Sequence, residues 1–298
     1  MSSCAHNHSV APRRVLLFAV CLTLTFAAVE FFGGRLAGSL ALVADAGHML
    51  TDSMALALAA LAAWIARRPP SKRRTWGYGR AEVLAALING TAMLVLVGLI
   101  AWQALSRFKN PRPVSGGMVL AVAVAGLAIN LLVFRLLSRA GDNLNVRGAL
   151  LHVLGDLLGS VAVIISAVVI LWTGWTHIDP ILSLVICALM LVAAVRLLAE
   201  GAHVVLNGVP PGLNVEDVRR TLLGVPEVLD VHDLHVWQIA SGRSALSAHV
   251  MVDDPARWFE LLEEISRALL DRHGIKHITL QPESTGADEC LRLARACF

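Results

Sequence analysis

His48-Met-Leu-Thr-Asp52 and His152-Val-Leu-Gly-Asp156 each set an imidazole four residues ahead of a carboxylate, inside stretches that are otherwise apolar. In a helix, each pair lies on one face, one turn apart. A carboxylate near the middle of a membrane helix costs roughly 2.5–3.5 kcal/mol on insertion scales, so both need a compensating partner. One pair alone is explained equally well by a helix-stabilising hydrogen bond or by a polar seam between helices. Two pairs in separate segments make a set of four ligand-type groups, and a shared metal ion satisfies all of them. Two imidazole nitrogens and two carboxylate oxygens suit tetrahedral zinc. Cobalt, cadmium, nickel and ferrous iron accept the same donors, whereas magnesium and calcium prefer shells of oxygen.

Charge accounting extends this chemistry from binding to exchange. A zinc ion with two aspartates and two neutral imidazoles is formally neutral. The empty site with both imidazoles protonated is neutral again. An apolar interior disfavours net charge, and histidine titrates near neutral pH. Metal and protons therefore compete for the same groups, the arrangement needed for antiport. Asp45 lies one turn before His48 and is open to three roles: entry ligand, acceptor to a ligand, or helix-end group. Glu30, Asn89, Asn130 and Asp179 are further polar residues in or near apolar segments. The two asparagines are expected to bridge helices, and Asp179, just before Pro180, to cap one.

Such groups must be held by helices that cross a bilayer. The chain has 298 residues, 56% of them hydrophobic and only 16% charged, against about 25% charged in an ordinary soluble domain. Its mean hydropathy is +0.67. Six apolar segments are long enough to span, from Val15 to Gly34, Leu40 to Ala66, Ala81 to Leu105, Gly117 to Leu137, Gly148 to Thr173 and Pro180 to Leu198, since about 20 residues cross the hydrocarbon. The run after Arg13 and Arg14 continues past Phe26 without a small-residue cleavage site, so a retained first span is expected rather than a signal peptide. Arg67, Arg68, Lys72, Arg73, Arg74 and Arg80 join Arg13, Arg14, Arg135, Arg139 and Arg147 on one side; Arg35, Arg107, Lys109 and Arg112 lie on the other. The richer side is expected to be cytoplasmic. That puts both termini inside a multi-pass protein, with the plasma (inner) membrane as the expected location.

Beyond Pro210-Pro211-Gly212 the patterning becomes that of a soluble domain. Asn214 caps a short helix to Leu223, Val228 to Ile239 and Ala245 to Val252 read as strands across a Ser241-Gly242 turn, and Pro255 to Arg272 is an amphipathic helix. His277 to Gln281 is a third strand, and the order αββαβ predicts a small α+β sandwich. The expected division is a cytoplasmic tail over 1–14, an all-α six-helix transport domain over 15–206, a cytoplasmic domain over 207–284 and a tail over 285–298. Cys4, Cys21, Cys187, Cys290 and Cys297 are too scattered for a disulfide framework. A net charge of +3 gives no footprint for nucleic acid.

Longer stretches around the two pairs are similar to signatures of the cation diffusion facilitators. Ser39-Leu-Ala-Leu-Val-Ala-Asp45-Ala-Gly-His48-Met-Leu-Thr-Asp52 resembles their second span, and Asn145-Val-Arg-Gly-Ala-Leu-Leu-His152-Val-Leu-Gly-Asp156-Leu-Leu-Gly-Ser160 their fifth. Trp76-Gly-Tyr-Gly-Arg-Ala-Glu-Val-Leu-Ala-Ala-Leu87 resembles the start of their third span, and His232-Asp-Leu-His-Val-Trp237 that of their cytoplasmic domain. The resemblance covers nearly the whole chain. It implies a homodimer of six-helix protomers with ferredoxin-like cytoplasmic domains, exporting divalent metal against protons, with His48, Asp52, His152 and Asp156 as the transport ligands. The histidines place it with the zinc-type branch.

Two departures stand out against that pattern. Arg74 and Tyr78 occupy the places of histidines that bind a second zinc in some members, and the connection from Ser138 to Asn145 is short and lacks histidine. In the cytoplasmic domain His232 and His249 match two cluster positions, with Glu283 near the acidic one, while Leu280 stands where a further histidine would be. The resemblance therefore implies a partial, mononuclear structural zinc site on His232, His249 and Glu283. The alternative, that His232, His235 and His249 are ordinary strand residues, stands beside it. Two other function classes fit the residues less well. A membrane metalloprotease lacks support because His-Glu-x-x-His is absent and four protein ligands would close the coordination sphere. A metal sensor would bind without moving metal.

Overall fold

The computed structural model describes residues 13–138, 144–240 and 242–284, with the side chains of 13–19, 137 and 144–152 outside the description. The terminal tails with Cys4, Cys290 and Cys297, the side chain of His152, and most of the connection from Ser138 to Asn145 thus lie outside the described residues. Among the described residues, eight α-helices and three strands follow in the order α1 (Arg13–Ala37), α2 (Leu40–Ala66), α3 (Ala81–Lys109), α4 (Gly116–Ser138), α5 (Leu144–Thr173), α6 (Ile178–Val205), α7 (Val215–Leu223), β1 (Val228–Ala240), β2 (Arg243–Val252), α8 (Trp258–His273) and β3 (His277–Ser284). The helices α1 to α6 are each long and apolar enough to cross a membrane. They match the six expected segments, each beginning or ending a few residues beyond the apolar run, or coinciding with it in α2.

By internal contacts the chain divides into two compact units, residues 1–58 with 88–197, and residues 59–87 with 198–298. In the first, the core joins Leu40 and Leu42 of α2, Met93 and Val97 of α3, Val119 of α4, Val163 of α5 and Met190 of α6, all buried. Ala41, Ala44, Ala104, Ala123, Ala167 and Ala194 sit among them with almost no exposure. Small residues at these places let helix backbones approach closely, the main source of helix association where surrounding lipid is as apolar as the side chains.

The second unit contains a three-stranded sheet in the order β1-β2-β3. β1 and β2 pair antiparallel, and β2 and β3 parallel, so β3 needs a crossover, which α8 supplies. The arrangement is the expected αββαβ, with strands longer than the apolar alternation suggested. Asn214 caps α7 by accepting from Glu216 N at 2.9 Å. A single 3-10 turn, Pro255–Arg257, precedes α8 where sequence reading runs the helix on from Pro255. Val218 and Leu222 of α7, and Leu261, Ile265 and Leu269 of α8, close one core with Val231, Leu246, Ala248, Val250 and Val252 of the sheet. The Trp76 ring meets that of His277 edge-on with centroids 4.7 Å apart, and Arg80 donates to Asn207 Oδ1 at 2.7 Å; both contacts lie within this unit.

Ile265 is fully buried, so Ile265→Ala is expected to cost the α+β unit about 2–5 kcal/mol by loss of apolar contact and an incompletely closed cavity. Hydrogen exchange at the Val250 and Val252 amides of the full-length protein in micelles reads this out. Glu263→Ala, on the exposed face, is expected to change protection by less than about 0.5 kcal/mol.

Candidate metal centres

His48 and Asp52 lie one turn apart on α2, and Asp156 faces them from α5. His48 Nδ1 stands 3.5 Å from Asp52 Oδ2, and His48 Nε2 stands 3.9 Å from Asp156 Oδ1. One ligand atom from each of the three residues lies within 4.8 Å of the others. Donors about 2.0–2.1 Å from a tetrahedral zinc are ~3.4 Å apart, so the spacing needs only small side-chain movement to close on an ion. Asp156 is nearly inaccessible, with 5% of its side chain exposed, against 26% for His48 and 21% for Asp52. The group is therefore open on the α2 side and closed on the α5 side. His152 is one helical turn before Asp156 on α5.

Other polar residues form a buried layer in the same unit. Asn130 Nδ2 on α4 donates to Ser160 Oγ on α5 at 3.2 Å, the helix bridge expected of it. Asp45 is buried, and a Cβ on Gly159 of α5 would come within 3.0 Å of its Oδ1. That places the carboxylate against the α5 backbone, one turn beyond Asp156. Glu30 of α1 is also buried and Gly126 of α4 lies against it. Asp179 caps a helix as expected, though the helix is α2 rather than its own: its carboxylate accepts from the Leu40 and Ala41 amides.

The second group lies on the sheet. His232 of β1 stands opposite His249 of β2 in the antiparallel register, with ring centroids 5.3 Å apart. Ala248 and Val250 flank His249 and enter the core, so strand alternation turns the imidazole to the other face. Glu283 reaches the pair from β3, its Oε2 3.1 Å from His232 Nε2 and its Oε1 2.5 Å from His249 Nδ1. Its side chain is 5% exposed. One ligand atom each from His232, His249 and Glu283 also lies within 4.8 Å of the others. The geometry brings together the three residues that sequence reading grouped. Leu280, in contrast, packs against the core, an apolar role that explains leucine there.

Asp233 is an addition that sequence reading missed. Regular alternation would separate it from His232 and His249, but β1 carries a register shift between His232 and His235, and Asp233 has φ +51°. The shift brings its Oδ2 to 3.8 Å from His249 Nε2 and its Oδ1 to 3.0 Å from His235 Nε2. The acidic residue directly after His232 is the signal in the sequence; the bulge that redirects it is not. In the connection between α2 and α3, the Arg74 guanidinium lies 4.7 Å from the Tyr78 ring centroid. A cation stacked on an aromatic face thus occupies the positions where the resemblance put histidines in some members.

Comparison with known proteins agrees with this architecture. The cation efflux transmembrane domain family matches residues 16–206, and the cation efflux protein cytoplasmic domain family matches residues 210–285. The chain belongs to the cation diffusion facilitator family. The zinc transporter ZitB of Escherichia coli (strain K12) is 47% identical over 290 residues, covering 94% of this chain and 92% of that protein. The cadmium, cobalt and zinc/H(+)-K(+) antiporter of Bacillus subtilis (strain 168) is 40% identical over 286 residues, covering 94% and 92%. The metal cation efflux system protein CzcD of Cupriavidus metallidurans is 41% identical over 281 residues, covering 94% and 89%. Membership in this facilitator family makes the chain a multi-pass membrane transport protein and not an enzyme.

The sheet-face group of this cation diffusion facilitator is directly testable. Loss of a mere outer partner costs metal sites about 10–100-fold in affinity. Glu283→Gln, which removes the charge shared by both imidazoles, is therefore expected to weaken one class of zinc binding at least tenfold. Equilibrium zinc titration of the full-length protein measures it.

Proposed function

We propose that the chain exports a divalent transition metal, zinc foremost, from the cytoplasm in exchange for protons, through His48, Asp52, His152 and Asp156. The observation that carries this reading is the convergence of His48 and Asp52 on α2 with Asp156 on α5, at spacings close to those of a tetrahedral shell. The transported ion is the cargo of these residues. Two aspartates balance its charge, and the imidazoles supply nitrogen donors that favour zinc-like ions over magnesium or calcium. The names of the relatives support the same direction: zinc transport in one, and antiport of cadmium, cobalt and zinc against H⁺ and K⁺ in another.

Proton coupling follows from the charge balance of the quartet. When metal leaves, the two carboxylates remain in an apolar surrounding, and protonated imidazoles restore neutrality. The remaining parts of the reading are a homodimer in the plasma (inner) membrane with both termini cytoplasmic, a transport domain over 15–206, and a cytoplasmic domain over 207–284. The matched cytoplasmic-domain family supports dimerisation. In that domain His232, His249 and Glu283 form a structural zinc site, with Asp233 beside it.

Reconstituted vesicles test the proposal. Asp156→Ala is expected to abolish zinc uptake while the protein still elutes as a folded dimer; near-normal uptake would refute the assignment. With voltage clamped and potassium equal on both sides, zinc flux is expected to rise with an opposing proton gradient, and indifference to the gradient would remove the antiport. His48→Asp is expected to shift zinc/manganese preference toward manganese, because replacing one of the two imidazole donors by a carboxylate suits a harder ion.

A further inference from the structure

The start of α2 is held by a residue from another helix. Gly38 takes φ +71° as the chain leaves α1, a left-handed conformation that glycine adopts without steric cost. A Cβ there would also lie 2.7 Å from the carbonyl oxygen of Pro113. The turn delivers Ser39, whose Oγ accepts from Leu42 N at 3.2 Å. Leu40 and Ala41 then present amides that no residue of α2 can satisfy.

Asp179, in the first turn of α6, satisfies both. Its Oδ2 accepts from Leu40 N at 2.7 Å and its Oδ1 from Ala41 N at 3.3 Å, while Ser39 Oγ donates to Oδ1 at 2.5 Å. Arg107, in the last turn of α3, donates from Nη1 to Oδ2 at 3.3 Å and to Gly38 O at 2.5 Å. A carboxylate has about four acceptor positions, and here all four are used. Asp179 is fully buried, as are Ser39 and Ala41. The negative charge also faces the positive end of the α2 dipole. Nearby, Ser115 N donates to Ala37 O at 2.9 Å, so the ends of α1, α2, α3, α4 and α6 meet at this node.

The start of α2 is thus tied to another helix by side-chain hydrogen bonds that end on Asp179. This matters because apolar contacts between helices in lipid compete with equally apolar contacts to lipid. Directional polar ties add to packing in fixing the height and rotation of α2. A slip of one residue would move His48 by about 1.5 Å along the axis and ~100° around it. Ligand distances tolerate about 0.2 Å.

We propose that Asp179 is a positioning residue for the transported ion: by capping α2 from α6 it sets the height and rotation of His48 and Asp52 against Asp156. The proposal rests on the assignment of those three residues to the cargo, and the test separates the two. Asp179→Asn turns one acceptor into a donor facing donors. In vesicles it is expected to raise the zinc concentration for half-maximal uptake about tenfold or more, as loss of an orienting partner does. The zinc/cadmium preference is expected to change as well, with the dimer elution profile unchanged. A merely structural cap would lower the maximal rate through loss of folded protein and leave both of those quantities where they were; that result overturns the proposal. If Asp179→Asn yields no folded protein, Ser39→Ala removes one of the four donors and keeps the rest. Its expected rise is smaller, and an unchanged half-saturation overturns the proposal equally. Asp156→Ala runs alongside. Retained uptake in that variant rejects the transport site itself, whereas lost uptake with an unmoved Asp179→Asn rejects only the positioning role.

Discussion

A low-dielectric interior does not tolerate uncompensated charge, and the membrane-spanning unit is organised around that constraint. Asp156 is closed off from solvent yet lies with His48 and Asp52. Asp179 is fully buried, and accepts from two amides, a hydroxyl and a guanidinium. Asn130 and Ser160 satisfy each other between α4 and α5. In each case a polar group that would be costly alone has been given a partner from a different helix. The partners hold the bundle together where apolar contact alone discriminates weakly, and they bring the ligand-type groups of α2 and α5 to one place.

The two carboxylate systems answer the constraint in different ways. Asp179 uses every acceptor position on fixed protein donors, which suits a static joint. The group on α2 and α5 sets ligand-type atoms 3.5 and 3.9 Å apart, about the separation that an ion between them would impose. Burial of a charge thus has two outcomes within one helix bundle, and the geometry of the partners separates them.

On the sheet the constraint is milder, because one face is open to water. There the decisive factor is register. Antiparallel pairing sets His232 opposite His249, and the parallel strand β3 brings Glu283 alongside. A shift of one residue in either strand would turn the imidazole or the carboxylate into the core. The bulge at Asp233 adds a second acidic group to this face and shifts the core-facing phase of β1 from Val231 to Leu234 and Val236.

Much of this was legible in the residues. Apolar length marked the six helices, because the cost of exposing backbone in lipid leaves little other choice. The four-residue His–Asp spacing marked the candidate ligand groups, because helical periodicity puts such pairs on one face. Alternation and turn residues outlined αββαβ, and the grouping of His232, His249 and Glu283 came from family resemblance. What sequence alone could not decide was which polar groups meet across elements. Asp179 reads as a cap for the helix it begins, yet it serves α2, more than a hundred residues earlier. Asp233 reads as pointing away from His249 until a positive φ turns it back. Local composition determines the elements and their faces, since periodicity and solvation act along the chain. Contacts between helices and across strands depend on packing and register, and those exist only once the chain has folded.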